Sequence, residues 1–123
     1  MKNEKEKFKI ELKRRIYDWI ISLIKFLDKI PHDIVGRTIV DQLARSGTSV
    51  GANYIEAQAA SSKKDFTNFL FYSLKSANES KFWLAILRDS GKADKASVDP
   101  LLREAIEISN ILGSSIMTLK GRK

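Results

Sequence analysis

Cysteine is absent from the chain, and with it every disulfide, thiolate metal site and thiol nucleophile. This suits a reducing compartment, and a cytoplasmic location is expected. Proline occurs only as Pro31 and Pro100, so long uninterrupted helices are open to the chain. Long apolar runs are lacking too. The greasiest stretch, 19–27, is broken by Ser22 and Lys25 and is too short to span a bilayer. Residues 1–9 are charged and lack the apolar centre of a secretory signal. A soluble protein with no membrane partner is therefore expected.

Catalytic apparatus is equally scarce. His32 is the only histidine and stands beside Pro31 at an expected turn, where a histidine is more often structural or solvated than catalytic. No cluster of His, Cys and carboxylates has metal-ligand spacing, and no Glu-x-x-His pair of the kind that holds di-iron centres in bundles occurs. Gly47 and Gly51 are not followed by the Lys and Ser or Thr of a phosphate-binding loop, and the many serines have no base beside them. A non-enzymatic protein without metal or cofactor is expected.

What the chain does have is helical periodicity. Its 123 residues suffice for one domain, with 43% hydrophobic and 30% charged residues. Four amphipathic segments are predicted, over about 5–30, 34–60, 63–89 and 100–120. Phe8, Leu12, Ile16, Trp19, Leu23, Leu27 and Ile30 form one stripe that Pro31 ends. Asp33 is placed to cap the second segment, whose stripe is Val35, Ile39, Leu43, Ser46 or Gly47, Val50, Tyr54 and Ala57. Ser62 caps the third, with Asp65 three residues on; Phe66, Leu70, Ser73, Ala77, Leu84 and Leu87 face one way, and Gly91 is the stop. Asp99 and Pro100 read as the cap and first residue of the fourth, which continues through Leu101, Ala105, Ile108, Leu112, Ser115 and Leu119. Short connections make neighbours antiparallel, and the predicted fold is all-α, an up-down-up-down four-helix bundle of one domain spanning 1–123.

Two helices carry more apolar surface than one stripe needs. Tyr17, Ile21 and Ile24 form a second row on the first; Phe69, Tyr72, Trp83 and Ile86 form one on the third, with Phe71 and Phe82 nearby. A second row means either a wide core face or a subunit interface. Tyr17, Ile21, Ile24, Phe69, Tyr72 and Trp83 are thus the candidate interface residues of a homo-oligomer. The small residues from Ser46 to Ala52 would let two backbones approach closely, or would break the helix locally.

The formal charge is +7 and the pI about 9.7, which favours a polyanionic partner. An up-down bundle turns scattered lysines into a patch. The start of helix one, the turn between helices two and three and the end of helix four meet at one pole. The candidate nucleic-acid-binding residues are Lys2, Lys5, Lys9, Lys63, Lys64, Lys120, Arg122 and Lys123 at that pole, continued along helix one by Lys13, Arg14 and Arg15. At the other pole, cations and carboxylates nearly balance. Such an end can neutralise phosphates without reading sequence, so RNA or DNA is one candidate partner. An acidic partner protein held by a non-enzymatic scaffold is the alternative.

The middle of the chain resembles the family named for the 23S ribosomal RNA intervening sequence, which includes accessory variability proteins of diversity-generating retroelements. The likeness rests on Asp41-Gln42-Leu43, Arg45, Ser49-Val50-Gly51-Ala52-Asn53, Glu56, Ser62-Lys63-Lys64-Asp65-Phe66, Phe69-Leu70, Ser76 and Glu79. The resemblance implies a four-helix protomer that assembles into a ring, typically a homopentamer. It also implies a basic surface of the kind that retroelement relatives use to bind nucleic acid and a reverse transcriptase. Within that pattern Arg45, Asn53, Glu56, Ser76 and Glu79 are expected to act as structural polar residues.

Overall fold

The computed structural model describes residues 3–121. Four helices follow one another: α1 (Glu4–Leu27), α2 (Ile34–Gln58), α3 (Lys63–Asp89) and α4 (Lys95–Gly121). Each packs on its chain neighbour and α1 closes on α4, while among the described residues the diagonal pairs make no close backbone approach, as in an up-down-up-down bundle.

The helix starts follow local chemistry. Asn3 accepts from the Glu6 N–H (2.8 Å), Asp33 from Gly36 (2.7 Å) and Ser62 from Asp65 (3.1 Å), each satisfying an otherwise orphaned donor. Gly91 follows α3 with φ +79°, the left-handed geometry that ends helices and favours glycine. Two ends differ from the sequence expectation. α1 stops at Leu27 rather than near residue 30, because Pro31 disfavours helical geometry at the residue before it; Ile30 is buried all the same. α4 begins at Lys95, not at Pro100. The Asp94 carbonyl accepts from Ser97 and Val98 (both 3.1 Å), and Val98 is fully buried. Asp99 is not a cap: its carboxylate binds Lys95 (2.7 Å) and Arg88 (3.2 Å). Pro100 therefore sits inside the helix, where it withholds one backbone bond; burial of Val98 extends the helix past that cost.

The core is a column of Leu23, Leu43, Val50, Leu84, Leu87, Ile108 and Leu112. The helix runs unbroken through Gly47 and Gly51, and the reason is packing. A methyl group at Gly47 would overlap the Leu23 side chain, and one at Gly51 would lie 2.7 Å from Ile20. Both glycines let α1 lie close on α2. The seam between α2 and α3 is built from small polar residues instead. The Ser46 and Ser80 hydroxyls share a hydrogen bond (2.9 Å), and Ser73 donates to the Val50 carbonyl (2.7 Å). The Trp19 indole donates to the Leu101 carbonyl (3.0 Å). Among the described residues no buried side-chain nitrogen or oxygen lacks a partner.

Phe8 and Val35 depart from the expected core stripes. Phe8 is 48% exposed, at the bundle's open end, and Val35 is exposed in the first turn of α2. Ile116, not Ser115 or Leu119, fills the last core layer of α4.

Candidate nucleic-acid interface

The fold brings three of the candidate cations together from distant parts of the chain. Lys63 and Lys64, in the first turn of α3, and Lys120, in the last turn of α4, line one shallow hollow with Thr67, Asn68 and Leu119. Lys5 and Lys9, from the start of α1, border a second and larger cleft at the same end. It has a volume of about 490 Å³ and is walled by Phe8, Leu12, Tyr54, Phe66, Leu70 and Ile111. All four helices contribute: the starts of α1 and α3 and the ends of α2 and α4. The Lys9 ammonium lies 5.9 Å from the centre of the Phe66 ring. The Lys9 carbonyl accepts from the Tyr54 hydroxyl (3.3 Å), and burial pushes that phenol up to about 12.

Elsewhere some cations are engaged, while others, Lys29 and Arg37 at the opposite pole among them, enter no ion pair among the described residues. At the opposite pole Arg88 pairs with Asp89 and Asp99, Lys92 with Asp33 (3.3 Å) and Lys95 with Asp99. The Gly36 N–H and then Lys92 hold the Asp33 carboxyl below the usual range; Lys95 and Arg88 do the same for Asp99. Lys5, Lys7, Lys9, Lys63, Lys64 and Lys120 enter no ion pair among the described residues.

The continuation of the cationic face along α1 is only partly as expected. Arg15 is occupied: its guanidinium grips Glu104 of α4 through two bonds (2.9 and 2.7 Å). Arg14 meets Asp18 one turn on at 3.5 Å, both well exposed, a pair of little energetic weight. Lys13 borders a third hollow, between α1 and α2, with Tyr17, Gly51, Ala52 and Ile55. Lys2, Arg122 and Lys123 lie outside the described residues.

The second apolar rows divide. Tyr17 (61%), Ile21 and Ile24 are exposed, so on α1 the extra row is not part of the protomer core. On α3, Phe69, Trp83 and Ile86 are half-buried against the core, while Tyr72, Phe71 and Phe82 are exposed. Phe69 and Tyr72 meet edge to face at 6.0 Å, as do Phe82 and Trp83 at 5.0 Å.

The polar residues of the family-like segment cluster beside this second row. Asn53, Ser76 and Glu79 line a hollow between α2 and α3 with Tyr72 and Lys75. They do not tie the helices together: Asn53 donates to Ser49 on its own helix (3.0 Å), the Ser76 carbonyl accepts from Ser80 on α3, and Glu79 accepts from the Trp83 indole (3.0 Å). Arg45 and Glu56 are exposed. Ser46, Ser73 and Ser80 carry the bonds between α2 and α3 instead; Ser46 and Ser73 stand on the expected apolar stripes, whereas Ser80 is not among the expected stripe residues.

An antiparallel four-helix bundle that brings lysines from three helices together at one end is the class of protein this geometry defines. The family model described as 23S rRNA-intervening sequence protein matches residues 9–114, and the chain belongs to that family. A crystal structure of a protein with unknown function from the S23 ribosomal protein family of Bacteroides thetaiotaomicron is similar to it. The two share 29% identity and a TM-score of 0.83, over 89% of this chain and 98% of that one. No curated protein matches the chain.

Proposed function

We propose that the protein is a non-enzymatic accessory protein that self-associates and holds RNA or DNA by its phosphates at the lysine-bearing end of the bundle. The observation that carries this reading is the convergence of lysines from three helices on adjoining hollows at one end of the bundle. These lysines gather without ion partners, whereas at the other end Arg88, Lys92 and Lys95 are bound to carboxylates and Lys29 and Arg37 stand unpaired among the described residues. Free ammonium groups on flexible stems suit phosphate neutralisation, which needs no sequence readout. Self-association is supported by the exposed row Tyr17, Ile21 and Ile24 and by Tyr72 on α3, with Phe69 and Trp83 half-buried beside it. A ring, on the pattern of a homopentamer, would repeat the cationic end and multiply its avidity.

Light scattering tests both parts. The protein alone should have a mass several times that of the 14.0 kDa protomer. It should gain mass on addition of single-stranded RNA at low salt and lose the gain at moderate salt. A particle indifferent to nucleic acid at low salt overturns the phosphate reading in favour of an acidic protein partner. A monomer overturns self-association.

A further inference from the structure

We infer that the cleft at the lysine-bearing end admits an unpaired nucleobase, so that the protein prefers single-stranded to double-stranded nucleic acid; this rests on the nucleic-acid reading above and specifies its substrate. Three observations converge. First, the cleft is apolar and of ligand size: about 490 Å³, within the roughly 300–1,000 Å³ typical of small-molecule sites. Second, it is aromatic. Phe8 stands 48% exposed at the mouth although its spacing belongs to the core stripe, and Phe66 is half-buried on the facing helix with Lys9 over its ring. An exposed phenylalanine at a cleft mouth offers a face on which a base can stack.

Third, the cleft adjoins the lysines. Leu119 lines both it and the hollow of Lys63, Lys64 and Lys120, so the two are contiguous across one side chain. A ligand filling both must combine a flat apolar group with nearby phosphates. Asn110, Ser114 and Thr118 place amide and hydroxyl groups along the α4 wall, within reach of base edges. Glu107 also lines the cleft and repels phosphate there, which leaves the backbone to the Lys63, Lys64 and Lys120 side. A duplex presents phosphates but keeps its bases stacked, and so can use only the lysines.

The test compares three labelled probes of equal length by fluorescence anisotropy: single-stranded oligothymidylate, a duplex, and an abasic strand that keeps the phosphates. Oligothymidylate should bind on the order of tenfold tighter than the abasic strand, the scale of one stacked base. Phe8→Ala should abolish that advantage without changing the salt dependence, and Phe8→Trp should keep it; at an exposed position neither change threatens the fold. Salt-dependent binding that is equal for all three probes overturns base insertion and leaves the phosphate reading standing. Absence of salt-dependent binding to any probe overturns both.

Discussion

Gly47 and Gly113 both lie inside helices, yet the same substitution at each should have opposite effects. Replacing glycine by alanine in a helix interior ordinarily gains about 1 kcal/mol. At Gly113 a methyl group meets nothing within 4 Å, so Gly113→Ala should realise most of that gain. At Gly47 the methyl overlaps Leu23, which is fully buried and cannot swing away. Overpacking of a closed core costs about 1–3 kcal/mol. The propensity terms cancel between the two variants, so their difference isolates the steric cost. Gly47→Ala should be about 1–3 kcal/mol less stable than Gly113→Ala, roughly 4–12 °C in Tm for a chain of this size. The assay is urea denaturation with thermal melts, at one fixed protomer concentration because association shifts apparent stability. Leu23→Val, which shortens the obstructing side chain, should reduce the penalty of Gly47→Ala in a double-mutant cycle. A Gly47→Ala protein as stable as Gly113→Ala would refute the close approach of α1 and α2.

Ser46→Ala and Ser80→Ala should each cost about 1 kcal/mol, and the double variant less than the sum, because the first change already breaks the shared hydrogen bond; additive costs in urea titrations would show that the pair is not coupled. Tyr54 has its folded-state pKa raised to about 12 from an unfolded value near 10, so the unfolded state loses its proton first and stability falls as pH rises between those values. Tyr54→Phe should remove that part of the alkaline loss, and a difference ultraviolet titration against the parent should show the missing phenol ionising near 12. Ile24→Glu changes a residue exposed in the protomer, so it should leave helical circular dichroism intact while light scattering shows smaller particles; loss of the helical signal instead would place Ile24 in the fold rather than at an interface.

The helices were legible because their signals are local. Asn3 aside, the caps at Asp33 and Ser62 and the stop at Gly91 are written within one turn of where they act. The start of α4 was not, because it depends on tertiary forces. Asp99 and Pro100 look like a helix start, but burial of Val98 and the claim of Arg88 on Asp99 pull five earlier residues into the helix. Arg15 looked like one more free cation; its partner Glu104 lies 89 residues away, a distance no periodicity reveals. The site divides the same way. Topology alone predicts that Lys5, Lys9, Lys63, Lys64 and Lys120 share one end. The cleft beside them, with Phe8 at its mouth, depends on how far the four helix ends splay, and the stripe pattern assigned Phe8 to the core.

The most direct test of the central claim is the salt dependence of single-stranded RNA binding, measured for the parent protein and for two sets of substitutions. Lys63→Gln, Lys64→Gln and Lys120→Gln together remove the hollow's three charges, while Lys29→Gln and Arg37→Gln remove charges from the opposite pole. If the lysine-bearing end neutralises phosphates, the slope of log affinity against log salt should shrink by about two units for the triple variant, roughly 0.7 per lost contact, and stay unchanged for the control pair. Equal slopes in all three proteins, or a loss confined to the control pair, would contradict it.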